Sequence, residues 1–206
     1  MEKTQPTPNA ETLKQAHQLT LRIREEINKA VIGQNDVISQ VLVTLFAAGH
    51  VLIEGVPGLG KTLLVRALAK TFSGQFSRIQ FTPDLMPADV TGHVMYDTNS
   101  GKFNIRRGPA FTNLLLADEI NRAPAKTQSA LLEVMQEQQI TIEGRSFDAL
   151  KPMMVLATQN PIDQEGTYPL PEAELDRFML KVHIDYPDLE QEQQLVNQVT
   201  TGKSSD

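Results

Sequence analysis

The chain has 206 residues, 40% of them hydrophobic, with a net charge of −6 and no cysteine. That length suits one α/β domain, or one domain with part of a second, and the acidic balance argues against a nucleic-acid partner. The missing cysteines exclude disulfides and thiolate metal sites and fit a reducing, cytoplasmic setting. No apolar run approaches a membrane span.

Residues 1–10 are polar, carry Pro6 and Pro8, and read as a flexible N-terminal tail. Residues 11–29 then place Ala16, Leu19, Ile23 and Ile27 near one helix face. Val31-Ile32-Gly33-Gln34 interrupts that pattern, with Gly33 as a helix terminator. A second helix is predicted at 36–47, with a wide stripe of Val37, Ile38, Val41, Leu42, Leu45 and Phe46.

His50-Val51-Leu52-Ile53-Glu54 reads as a buried strand. It runs into Gly55-Val56-Pro57-Gly58-Leu59-Gly60-Lys61-Thr62, a full match to the phosphate-loop pattern G-x-x-x-x-G-K-[ST]. Glycines let backbone N–H groups curl around phosphate oxygens where a Cβ would clash. Lys61 then reaches the β- and γ-phosphates, and Thr62 offers its hydroxyl to Mg²⁺. A helix is predicted next, at 63–72, with Leu64, Val65, Leu68 and Phe72 on one face. Its N-terminus turns a positive dipole end toward the phosphates.

Further strands follow. Residues 113–117 and 153–158 are continuous apolar runs, like 51–53. Residues 78–82 and 178–184 alternate instead. Continuous runs suggest strands covered on both faces, and alternation suggests edges. The expected fold is therefore α/β: a five-stranded parallel sheet flanked by helices, with the phosphate-loop strand at its centre. Two hairpins interrupt the rhythm. One pairs 93–97 with 102–105 across Thr98-Asn99-Ser100-Gly101, and the other pairs 140–142 with a return through Phe147 around Glu143-Gly144. A last helix is expected from Asp188, with Gln191 in the capping-box position, before a polar tail at 201–206.

Leu114-Leu115-Leu116-Ala117-Asp118-Glu119 carries the second strong signal. A phosphate loop needs a carboxylate at the end of a neighbouring strand to hold Mg²⁺ through water, and Asp118 suits that role. Glu119 beside it can orient or deprotonate the attacking water. Asn160, after the strand at 153–158, either hydrogen-bonds the γ-phosphate or simply starts an Asn-Pro turn. Arg177 is either a surface ion-pair residue or an arginine supplied to a neighbouring subunit. Arg122 is a weaker candidate for facing a neighbour's nucleotide. The four histidines (His17, His50, His93, His183) share no metal-ligand spacing, so no metal beyond Mg²⁺ is expected.

These residues together resemble the AAA+ ATPases and, within them, the MoxR family. The most specific matching stretches are Asp118-Glu119-Ile120-Asn121-Arg122-Ala123-Pro124 and Tyr168-Pro169-Leu170-Pro171-Glu172-Ala173. They are joined by Phe81-Thr82-Pro83-Asp84-Leu85, Asp89-Val90-Thr91-Gly92 and Glu174-Leu175-Asp176-Arg177-Phe178, and the likeness runs over residues 23–187. It implies an ATPase core over 11–187, with 188–206 as the start of a helical lid cut short, so no sensor-2 residue is named. It implies that Val31 and Ile32 border the adenine, with residues 55–63, Leu63 included, around the nucleotide. Asn160 becomes the sensor-1 residue and Arg177 the arginine finger. The hairpins become the insertions of a clade that also holds magnesium-chelatase and replicative-helicase subunits.

The implied function is Mg²⁺-dependent ATP hydrolysis by a ring, a homo-hexamer. Such a ring remodels or matures protein clients, with von Willebrand A domain proteins among the partners. ATP is expected over GTP, because no Asn-Lys-x-Asp guanine-selecting segment is present. Two other readings stand beside it. One is a nucleic-acid motor subunit, using Lys102, Arg106, Arg107, Arg145 and Lys151 on basic hairpin surfaces. The other is a nucleotide-binding switch with little turnover.

Overall fold

The computed structural model describes residues 9–31, 33–55, 60–160, 166–184 and position 193. The first helix, α1, spans Ala10–Ala30 and so begins inside the expected tail. It starts there because the Asn9 side chain accepts the Thr12 N–H at 2.8 Å, satisfying one of the unpaired donors of the first turn. Helix α2 (Asn35–Phe46) follows, then strand β1 (Val51–Gly55) and helix α3 (Lys61–Thr71). All three helices fall where the apolar periodicity places them.

Strand β2 (Phe76–Gln80) leads into a short helix α4 (Pro87–Thr91) and the hairpin β3 (Gly92–Asp97) and β4 (Lys102–Arg107). Helix α4 has no counterpart in the predicted elements. Its first turn is set by Pro87 and by the Asp89 carboxylate, which accepts the Met86 N–H at 2.8 Å. Strand β5 (Leu114–Asp118), a single 3₁₀ turn (Ile120–Arg122) and helix α5 (Ala125–Glu137) come next. The second hairpin is β6 (Gln139–Ile142) and β7 (Arg145–Asp148). Its turn residues Glu143 and Gly144 both have positive φ, 47° and 74°, as a two-residue turn of this hand requires. Strand β8 (Met154–Gln159), the short helix α6 (Glu172–Leu175) and strand β9 (Leu180–Ile184) complete the described elements. The helix expected from Asp188, and the tail after it, lie outside the described residues.

The five-stranded sheet has the order β2-β5-β8-β1-β9, with every pair parallel. The three continuous apolar runs are inside and the two alternating runs are edges, as expected. The centre is a correction. Strand β8 occupies it, and the phosphate-loop strand β1 lies between β8 and the edge strand β9. Strands β1 and β8 are both covered on two faces, so their residue patterns are alike and do not rank them.

Alternate residues of the inner strands feed two separate cores. Val51, Ile53, Leu114, Leu116, Met154 and Leu156 pack on one side, against α1, α2 and α3. Leu52, Leu115, Ala117, Val155 and Ala157 pack on the other, against α5 and the β6–β7 hairpin. Leu114, Leu115 and Leu116 are wholly buried, each contributing about 1.5–3 kcal/mol through removal from water. This double cover holds the C-terminal ends of β1, β5 and β8 side by side. Every candidate phosphate-handling residue on a strand or its following loop is carried at those ends.

Candidate active site

Helix α3 begins at Lys61 directly after Gly60, whose φ of 74° is left-handed. Among the described residues nothing crowds a side chain at Gly60, so the left-handed backbone is what calls for glycine there. Gly55 has a different reason. A Cβ there would lie 2.5 Å from the Ile184 carbonyl oxygen on β9, so the close approach of that strand demands the missing side chain. Val56, Pro57, Gly58 and Leu59 lie outside the described residues, as does Ile32.

Gly55, Gly60, Lys61, Thr62 and Leu63 line a cavity of about 360 Å³ together with Asp118, Glu119, Asn160, Thr158, Arg78 and Gln80. The Lys61 ammonium donates to the Gly55 carbonyl at 2.7 Å. Burial pushes its pKa below the ordinary lysine value, and the negative charges of Asp118 and Glu119 work the other way. A half-buried cation at a helix N-terminus suits a phosphate anion.

Asp118 ends β5 and is nearly buried. Its Oδ1 accepts the Thr158 hydroxyl at 3.1 Å, and its Oδ2 accepts Arg78 Nε at 2.7 Å. Glu119 follows in a left-handed conformation, φ 55°, uncommon for a residue with a side chain. That twist ends the strand. The Glu119 N–H donates to Thr158 Oγ1 at 2.9 Å. Its Oε2 accepts Gln80 Nε2 at 2.9 Å and lies 3.2 Å from Arg122 Nε. Thr62 and Asp118 supply a hydroxyl and a carboxylate to the same cavity. That oxygen donor set fits magnesium, which takes few protein ligands and completes its shell with phosphate and water.

Three of these lining residues, Arg78, Gln80 and Thr158, escaped the sequence reading. Arg78 and Gln80 are two apart on an alternating strand and so share a face. The parallel register that sets Gln80 opposite Asp118 is a tertiary fact. Among the described residues, two of the predicted ones do not line the cavity. Val31 is buried, packed in the core beneath α1, and its N–H donates to the Ile27 carbonyl at 2.9 Å. Arg177 lies elsewhere, with its guanidinium donating to Gln136 on α5. A larger groove of about 520 Å³ runs between α1 and α3, lined by Glu26, Ala30, Leu63, Arg66, Ala67, Lys70 and Thr71. It meets the smaller cavity at Leu63 but holds no paired carboxylates.

Residues 50–180 match the model of the ATPase family associated with various cellular activities. The chain belongs to the AAA ATPase family. The chain is 52% identical to the Chaperone MoxR1 of Mycobacterium tuberculosis over 171 residues, 83% of this chain and 45% of that protein. It is 34% identical to Protein MoxR of Methylorubrum extorquens over 171 residues, 81% of this chain and 49% of that one. A crystal structure of a candidate ATPase from Cytophaga hutchinsonii superposes with a TM-score of 0.80 at 49% identity, covering 94% of this chain and 61% of that one. These likenesses place the chain in the MoxR branch of the AAA family. It spans about half the length of the curated relatives named here.

Proposed function

We propose that this AAA chain binds ATP with magnesium in the cavity between α3 and the ends of β5 and β8, and hydrolyses it there. The convergence of Lys61, Thr62, Asp118 and Glu119 on one cavity carries this reading. Thr62 and Asp118 would hold Mg²⁺, which when bound neutralises charge on the phosphates. Lys61 adds a fixed cation on the same side. Glu119 takes or orients the proton of the attacking water. Its carboxylate is held for this by Gln80 and Arg122. Asn160, lining the same cavity, has an amide suited to the γ-phosphate or the water. Gly55 and Gly60 bring backbone close to the phosphates, and Leu63 borders the nucleotide with Ile32 and residues 56–59; Val31, whose side chain is in the core, would border the adenine through its backbone.

Arg177 is read as the arginine finger, acting on nucleotide held by a neighbouring subunit. Its position outside its own chain's cavity supports that reading. An arginine acting in trans implies a ring, and we infer a homo-hexamer in the cytoplasm. The chaperone name of the Mycobacterium relative supports protein clients, of which von Willebrand A domain proteins are the ones proposed. Residues 11–187 would be the ATPase core of that ring. The nucleic-acid reading has less support, since the Arg107 guanidinium already lies 4.9 Å from the centre of the Phe111 ring.

The test is a pair of substitutions. Lys61→Ala should abolish tight ATP binding, because the phosphates lose their nearest cation. Glu119→Gln should bind normally and fail to turn over, because only the water-handling step is lost. Equally weak nucleotide binding in both variants would overturn this division of roles.

A further inference from the structure

Both oxygens of the Asp118 carboxylate are engaged from the sheet, by partners of different kinds. Thr158 is buried on the central strand, so its hydroxyl has no water to turn to. Arg78 sits on the edge strand β2, with its side chain 51% exposed against 12% for Asp118. An exposed guanidinium regains hydrogen bonds from water when it swings away, so its release costs little. Its other contact is weak: a guanidinium nitrogen lies 3.4 Å from Gln80 Oε1. Arg78 is thus the replaceable partner of Asp118, and Thr158 the permanent one.

We propose that Arg78 is a positioning residue that competes with hydrated magnesium for Asp118, and so sets the magnesium concentration at which nucleotide binds. This inference rests on the reading of the cavity as a Mg²⁺–ATP site. A guanidinium and a hydrated Mg²⁺ make the same demand on a carboxylate, presenting N–H or O–H donors that carry positive charge. Both cations on one carboxylate repel each other. Arg78 Nε takes Oδ2 at charge-assisted distance, 2.7 Å, so a docking cation must displace or weaken that contact. Magnesium alone meets this cost with little return. Magnesium carried in on ATP also brings phosphate oxygens into reach of Lys61 and the helix terminus. Arg78 lines the same cavity, so its guanidinium remains beside the phosphates after leaving Asp118. The arrangement makes the site select the metal–nucleotide complex over the bare ion.

The experiment follows binding of a fluorescent, methylanthraniloyl-labelled ATP as MgCl₂ is titrated, without measuring turnover. Wild type is compared with Arg78→Met and Arg78→Gln, each also in an Asp118→Asn background. Both neutral variants should reach half-saturation at a magnesium concentration about three- to tenfold lower than wild type. The shift should vanish in the Asp118→Asn background, because no carboxylate remains to compete for. An unchanged or higher midpoint in either variant, with an intact thermal melt, overturns the proposal. If one variant does not fold, the other carries the test. Wild type that binds labelled ATP while the variants show no shift sinks the role of Arg78 alone. Wild type that binds no labelled ATP at any magnesium concentration sinks the ATP-site reading, and this inference with it.

Discussion

Thr158 joins Asp118 to the backbone that carries Glu119: its hydroxyl donates to Asp118 Oδ1 at 3.1 Å and accepts the Glu119 N–H at 2.9 Å. One buried oxygen therefore orients the Asp118 carboxylate and pins the backbone of Glu119. Thr158→Val keeps the shape and deletes the hydroxyl, leaving a buried N–H and a carboxylate oxygen each short of a partner. We expect a loss of about 1–3 kcal/mol in stability. Turnover should fall while the affinity for ATP changes little, since Lys61 is untouched. Urea titration and steady-state kinetics check the two parts separately.

The left-handed backbone at Glu119 makes a second prediction. A residue with a Cβ is strained there by about 1 kcal/mol, and glycine is not. Glu119→Gly and Glu119→Ala should both lose turnover. Glu119→Gly should nonetheless be the more stable of the two by about 1 kcal/mol, reversing the usual order of glycine and alanine. Equilibrium unfolding of the two variants measures this directly.

His50 predicts a pH dependence at the far end of the sheet. Its Nδ1 accepts the Val155 N–H at 3.0 Å, so the ring proton sits on Nε2, 3.3 Å from the Met135 carbonyl. Burial pushes its pKa below the usual histidine value, and the Met135 carbonyl opposes this in smaller measure. The unfolded chain therefore binds a proton more readily than the folded one. The contribution of His50 is complete above its unfolded pKa of about 6.5 and is lost as pH falls from there toward the lowered folded value. Denaturant midpoints between pH 5 and pH 8 should drop more steeply in wild type than in His50→Phe.

Arg177 is tested by mixing. Arg177→Ala should bind ATP normally and hydrolyse it about a thousandfold more slowly, the scale of an arginine finger. Combined with Glu119→Gln subunits it should recover part of the activity. An Arg177→Ala subunit keeps Glu119, and its neighbour supplies the arginine. Activity per chain should rise with protein concentration. Co-assembled mixtures without recovery would make Arg177 a residue of its own chain's packing against Gln136.

Local chemistry was written plainly in the residues. The phosphate-loop pattern needs its own glycines, lysine and threonine in one short segment, and Asp118-Glu119 needs only an apolar strand before it. Burial on one face or two was equally legible, because it follows from side-chain alternation along a single strand. Which strand is central was not, since β1 and β8 carry the same two-sided apolar pattern and differ only in their neighbours. Arg78, Gln80 and Thr158 join the site through parallel registers between strands far apart in the chain, and no local pattern encodes those. Val31 shows the same limit: the family likeness assigns it to the adenine border, and that its side chain is buried in the core with Ile27 is a tertiary fact. The sequence by itself determined the groups that can handle a phosphate. Only the tertiary structure decided which residues hold those groups in place, because hydrogen-bond partners are chosen by distance in space.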